Sequence, residues 1–218
     1  MEVVKITQEK KRQDCRVLLE DGSSFRMDLE GVLQAGLRPG REVSPDDLAQ
    51  LEARREEHRV RERALRLIAY RAHSRRELME KLHRETDAQT AELVVDQLEA
   101  SGLIDDSAYA CELAASLSRG KGYGRRRVEQ ELRRRGIRGE VLEQALAQLP
   151  EESVEEIEQL LACRYPQGLT DERELRRAAG RLIRRGYSCS LVQAALEPYR
   201  EQLSFSQSPD RRTGGSQW

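Results

Sequence analysis

Apolar positions alternate with polar ones near the start of the chain. Cys15, Val17 and Leu19 alternate, Asp21-Gly22 follows as a turn able to take positive φ, and Phe25, Met27 and Leu29 alternate again on the return. This predicts a β-hairpin, with Val3–Thr7 as a third strand, inside an N-terminal element of residues 1–43. Gly36, Pro39 and Gly40 then break the pattern. Ser44-Pro45-Asp46-Asp47 combines an N-cap, a first-turn proline and two first-turn acids, which announces a helix. From there to about residue 203 the apolar spacing is helical. Residues 204–218, rich in Ser, Gln, Gly and Arg without periodicity, read as a disordered tail ending in an exposed Trp218.

The helical region repeats itself. Arg-Arg-Gly at 134–136 recurs at 184–186, and at the same spacing Leu132 falls on Leu182, Ile137 on Tyr187, Val141 on Leu191, Leu142 on Val192, Ala145 on Ala195 and Leu146 on Leu196. Short helices bury little alone and must stack on neighbours, so a recurrence of this length marks a helical repeat. An earlier copy places Leu78 and Leu82 before Val128 and Leu132, and Leu93, Val94 and Leu98 before Val141, Leu142 and Leu146. The predicted fold class is therefore mostly α, with three tandem three-helix repeats at 61–104, 105–150 and 151–203. A linking helix at 44–60 joins them to the N-terminal β element. Ser74 with Glu77 is a capping box, Gly102 suits a helix end, and Asp105 or Asp106 suits the next start.

Composition agrees with small helical units. Leu, Ile, Val and Phe number 48, about 22% of the chain and just above the range of disordered segments. Aromatics are 4%, so the apolar content is mostly Leu, Ala and Val, which fill thin helix interfaces. Four cysteines (15, 111, 163, 189) and three histidines (58, 73, 83) are scattered without metal or disulfide spacing. No basic n-region with an apolar stretch behind it opens the chain, and charges interrupt every apolar run. A soluble, cytoplasmic protein with reduced thiols and no cofactor is expected.

Charge changes the picture. The net charge is −1, yet residues 119–138 hold nine bases against Glu129 and Glu131, and residues 139–160 hold seven glutamates and no base. Adjoining basic and acidic surfaces suit a partner that is itself patterned. Arginine supplies 33 of the 38 bases. Its planar fork grips carboxylate and phosphate in paired bonds, although codon bias explains the total equally well. Clustering is the better guide, and it singles out Arg119, Lys121, Tyr123, Arg125, Arg126, Arg127, Arg133, Arg134 and Arg135, with Arg184 and Arg185 of the third repeat, as partner-binding candidates.

The loop Arg119-Gly120-Lys121-Gly122-Tyr123-Gly124 has two readings, an anion cradle of exposed amides or a flexible joint between helices. It lacks the Lys-Ser/Thr ending and leading strand of a P-loop. Tyr123 either stacks on a base or plugs the joint. Because Arg125, Arg126 and Arg127 precede the Val128/Leu132 face, replacing all three is expected to leave the fold intact. No catalytic constellation is present: Asp105-Asp106 reads as a cap, no serine lies in a GxSxG turn, and no histidine has the context of a base. A non-enzyme is expected.

Ala69-Tyr70-Arg71, Ser74-Arg75-Arg76-Glu77-Leu78, Lys81-Leu82 and Gly102-Leu103-Ile104-Asp105-Asp106 with Tyr109-Ala110 resemble the bacterial RecX family of recombinase regulators. The order and spacing continue through Arg119–Gly124, Val128, Glu131-Leu132 and Arg135-Gly136-Ile137, so the resemblance spans roughly residues 61–200. Two positions depart from the family pattern. Arg125 stands where proline usually follows the last loop glycine, which is expected to loosen the helix start, and Thr86-Asp87 replaces a glycine and an apolar or aromatic residue. The resemblance implies tandem three-helix repeats acting on RecA, the strand-exchange ATPase that forms filaments on single-stranded DNA. Members lie along the filament groove, block its extension or ATPase cycle, and can bind DNA. A monomeric, non-catalytic inhibitor of recombination and repair is thus expected, with the RecA filament as partner and single- or double-stranded DNA as a second ligand. The alternatives are a sequence-tolerant DNA-binding repeat protein and a helical scaffold for another protein.

Overall fold

Alternation near the N-terminus builds an antiparallel sheet of β1 (Val3–Gln8), β2 (Asp14–Leu19) and β3 (Ser24–Asp28) in that order, as the pattern predicts. The computed structural model describes residues 1–8 and 14–206, which divide into two compact units, Met1–Ile104 and Asp105 onward. Val17 pairs with Ile6 on one side and Phe25 on the other, and the hairpin turns at Gly22 with φ 82°. Val3, Cys15, Val17, Leu19 and Met27 are buried against Val32, Leu37, Val43 and Leu51. Leu29 departs from its expected place on the strand: it opens α1 (Leu29–Gln34) directly after the extended Asp28, and is 41% exposed. This short helix is absent from the periodicity reading because one and a half turns carry too few apolar positions to show a period.

Ser44 starts α2 (Pro45–Tyr70) with a complete capping box, its Oγ accepting the Asp47 N–H at 3.1 Å while the Asp47 carboxylate accepts the Ser44 N–H at 2.9 Å. The helix runs unbroken through residue 60, joining the expected linking helix and the first helix of the first repeat into one. No Gly or Pro interrupts it after Pro45, and Glu56–Arg59 and Glu62–Arg66 pairs lie along its surface. Leu51 packs on the sheet, whereas Val60 and Ala64 pack with α3 (Arg75–Leu82) and α4 (Ala88–Ala100) around Leu78, Leu82, Val94 and Leu98. The unusual Thr86-Asp87 joint acts as a polar cap: Asp87 accepts the Thr90 N–H at 3.0 Å and the Thr86 hydroxyl donates to Glu56 at 2.9 Å.

In the second unit Asp105 caps α5 (Asp106–Ala115) through the amides of Ser107 and Ala108. α5 continues into one wide helical turn, Ser116–Gly120, followed by α6 (Arg125–Arg134) and α7 (Gly139–Ala147). The next three helices, α8 (Val154–Arg164), α9 (Glu172–Arg185) and α10 (Cys189–Ser206), repeat the plan. Leu132 and Leu182 occupy matching places, as do Ile137 and Tyr187, Leu142 and Val192, Ala145 and Ala195, and Leu146 and Leu196, all buried in their own cores. Val141 and Leu191 are both half-buried, and Gly136 and Gly186 both end their helices with left-handed φ of 88° and 97°. Ser204 to Ser206, expected in the tail, form the last turn of α10 because half-buried Leu203 continues its apolar face. The rest of that tail, 207–218, lies outside the described residues.

Candidate partner interface

The loop before α6 is a built joint. Gly122 N–H donates to Ser118 O at 2.9 Å, Tyr123 N–H to Leu117 O at 3.2 Å, and Gly124 N–H to Arg185 O at 2.8 Å. Three amides that an anion cradle would present are therefore spent inside the protein, which removes the cradle reading. Tyr123 is half-buried against the core of the second repeat, with Arg127 and Lys121 at 5.7 and 5.8 Å from its ring centroid. It plugs the joint.

The start of α6 is held rather than loosened at the position where the family pattern has proline. Arg125 keeps a backbone N–H that proline would lack, and this N–H donates to Glu152 at 2.5 Å. Its guanidinium donates to Leu146 O at 2.8 Å. Part of the acidic 139–160 segment thus satisfies the basic one directly, with Glu152 standing at the positive end of α6.

The basic cluster sorts into two sets. Glu131 is buried on α6 and receives Arg127, Arg134 and Arg135, each at 2.9 Å, while Arg133 pairs with Glu129 at 2.7 Å. Burial alone would raise the Glu131 pKa, but the Arg135 hydrogen bond and the charges of Arg134 and Arg127 outweigh it and hold it below the usual carboxylate range. Four of the candidate arginines are therefore paired within α6, although they share only the two carboxylates of Glu129 and Glu131. Arg119, Lys121, Arg126 and Arg184 are exposed, Arg185 is half-buried, and none of the five has an ion pair among the described residues. Exposed Arg138, Arg164, Arg173, Arg177 and Arg181 share that condition although they were not among the site candidates. Arg164 had no basic run around it to signal it.

The two repeats carrying these residues meet closely. A Cβ on Gly124 would lie 2.7 Å from the Gly186 carbonyl carbon and the Tyr187 nitrogen, and one on Gly186 would lie 2.3 Å from the Arg127 nitrogen. Tyr187 is buried beneath this contact, its hydroxyl pushed up to about 12 by burial and by the charges of Glu156 and Glu152. The joint thus sets Arg126 of the second repeat and Arg184 and Arg185 of the third on one scaffold.

Family models described as the first and second three-helix domains of RecX match residues 61–98 and 105–146. A regulatory protein RecX of Streptomyces coelicolor is 38% identical over 141 residues, covering 61% of this chain and 75% of its own. The chain belongs to the RecX family. A regulatory protein RecX of Corynebacterium efficiens is 31% identical over 188 residues, 80% of this chain and 90% of the relative. A solved structure of regulatory protein RecX covers 90% of this chain and 98% of its own with a TM-score of 0.72 at 23% identity, which supports the fold. The second RecX domain match contains the joint loop, all of α6, and α7 up to Leu146, so the Glu131 cluster lies inside the matched region. Among the described residues no helix is long and apolar enough to cross a membrane.

Proposed function

We propose that this RecX-family regulator acts without catalysis on the RecA filament, lying along its groove and inhibiting extension, ATP hydrolysis and strand exchange. The observation that carries the reading is the sorting of charge around the joint of the second and third repeats. Arg127, Arg133, Arg134 and Arg135 are held by ion pairs to Glu129 and Glu131, whereas Arg119, Lys121, Arg126, Arg184 and Arg185 have no ion pair among the described residues and stand on the joined repeats. Unpaired guanidiniums fixed on adjoining repeats suit a target that presents acidic groups at repeated intervals, where linked weak contacts add avidity. The test is RecA-driven ATP hydrolysis on single-stranded DNA with this protein at substoichiometric amounts, and inhibition is expected. RecA polymer formed without nucleic acid separates the two ligands. Inhibition that vanishes there, with DNA affinity falling steeply in salt, would assign the same arginines to phosphate and make the protein a DNA-binding repeat protein.

A further inference from the structure

The third repeat holds a half-open cavity of about 470 Å³ between α8 and α9. Ligand sites commonly span ~300–1,000 Å³, so its size suits a bound side chain and its neighbours. Leu160, Leu161 and Leu182 give it an aliphatic floor, Arg164, Arg181 and Arg185 stand around it, and no acidic residue lines it. None of these three guanidiniums has an ion pair among the described residues, in contrast to the trio gathered on Glu131. The joint loop borders the cavity: a Cβ on Gly122 would lie 3.3 Å from the Arg185 guanidinium and 3.4 Å from Leu160. The unpaired basic residues of the joint therefore lead to its rim.

We infer that this cavity anchors an acidic protein segment through one apolar side chain, with flanking carboxylates on Arg164, Arg181 and Arg185. The charge of the lining calls for an anion, and the guanidinium fork matches a carboxylate bidentately. The floor chooses the kind of anionic polymer. A nucleobase set among leucines would leave its ring nitrogens and exocyclic groups without hydrogen-bond partners, and Tyr165, the single aromatic lining residue, is half-buried. A Leu, Met or Phe side chain carries no such cost. The inference rests on the proposed function only for the identity of the partner, since the chemistry of the segment follows from the cavity.

The test uses the full chain and a fluorescein-labelled peptide, Asp-Glu-Leu-Phe-Asp-Glu, followed by fluorescence anisotropy. Binding is expected to weaken about tenfold in Arg164→Gln/Arg181→Gln, which removes two rim charges, and by a similar factor when the peptide acids become Asn and Gln. Both arginines are exposed, so the circular-dichroism spectrum and Tm should stay at the parent values. Cys163→Trp, at an exposed position on the lining, should fill the cavity and displace the peptide with all three arginines in place. Peptide binding that is absent, or indifferent to these changes, overturns the assignment. So does oligothymidylate binding that is lost in the same variants while the peptide fails to bind. Arginine-dependent peptide binding by a chain that leaves RecA unaffected would sink the proposed function and leave the anchoring site standing. RecA inhibition without peptide binding would do the reverse.

Discussion

The backbone N–H of Gly124 donates to the carbonyl of Arg185 at 2.8 Å, joining the N-cap residue of one repeat's middle helix to the last residue of the next repeat's middle helix. Bringing two backbones this close requires that neither neighbour carry a Cβ, and Gly124 and Gly186 meet that condition from opposite sides. Gly186 also sits at φ 97°, where a side chain is strained whatever the space around it. Its replacement by Ala should cost about 2–4 kcal/mol, adding the left-handed penalty to the clash with Arg127. Gly102→Ala is the matched control, since Gly102 has φ 72° and nothing within 4 Å of an added Cβ. It should cost about 1–2 kcal/mol. Urea unfolding of both variants measures the difference, and equal losses would mean that the inter-repeat contact contributes nothing.

Leu132 and Leu182 provide a second test of the repeat. Both are buried in their own cores, 0% and 4% exposed. Each Leu→Ala change should cost roughly 2–4 kcal/mol through the cavity left behind. Hydrogen exchange should show each variant loosening first in its own repeat. A negligible loss at Leu182 would mean that the third repeat is not built as the second is.

Much of this architecture is legible before any coordinates, and the reasons are local. Arg-Arg-Gly with its apolar followers shows the repeat because helix period, glycine stop and core positions all lie within about fifteen residues. The hairpin is legible from Cys15, Val17 and Leu19 around Asp21-Gly22 for the same reason. Charge pairing is partly legible: Arg127 and Arg135 stand four residues to either side of Glu131, and Arg134 three beyond it, which is the spacing of neighbours on a helix face. The bonds from Arg125 to Glu152 and Leu146 cross more than twenty residues, and no window along the chain shows them. Hence the site candidates include arginines that hold the fold together as well as those available to a partner.

Glu131 gives a pH prediction with a definite sign. Its folded pKa lies below the ordinary carboxylate value, so the stability it contributes is present above that value and is lost as pH falls through the depressed folded one. Glu131→Gln should cost about 1–3 kcal/mol near neutral pH, because three arginines lose the charge they share. The gap between parent and variant should stay level from pH 7 to about 5 and close as the solution is taken below the normal carboxylate pKa of about 4.3. Urea midpoints measured across that range decide it; a gap that widens in acid would show that Glu131 is held protonated instead.

Arg126 and Arg127 are adjacent in sequence and opposite in role. Arg127 donates to buried Glu131 and lies over the Tyr123 ring, so it belongs to the joint. Arg126 is exposed and has no ion pair among the described residues. Arg125, whose guanidinium holds Leu146 O, sides with Arg127. Replacing all three with Ala would therefore mix loss of contact with loss of structure, contrary to the expectation from sequence alone that the triple change leaves the fold intact. Arg126→Ala should change stability by less than about 0.5 kcal/mol, whereas Arg127→Ala should cost about 1–2 kcal/mol by stripping a charge-assisted bond from a buried carboxylate. If Arg126 touches RecA, its single variant should weaken inhibition of ATP hydrolysis with the melting curve unchanged. Inhibition equal to that of the parent over a range of salt concentrations would remove Arg126 from the interface and leave Arg119, Lys121, Arg184 and Arg185 to carry it.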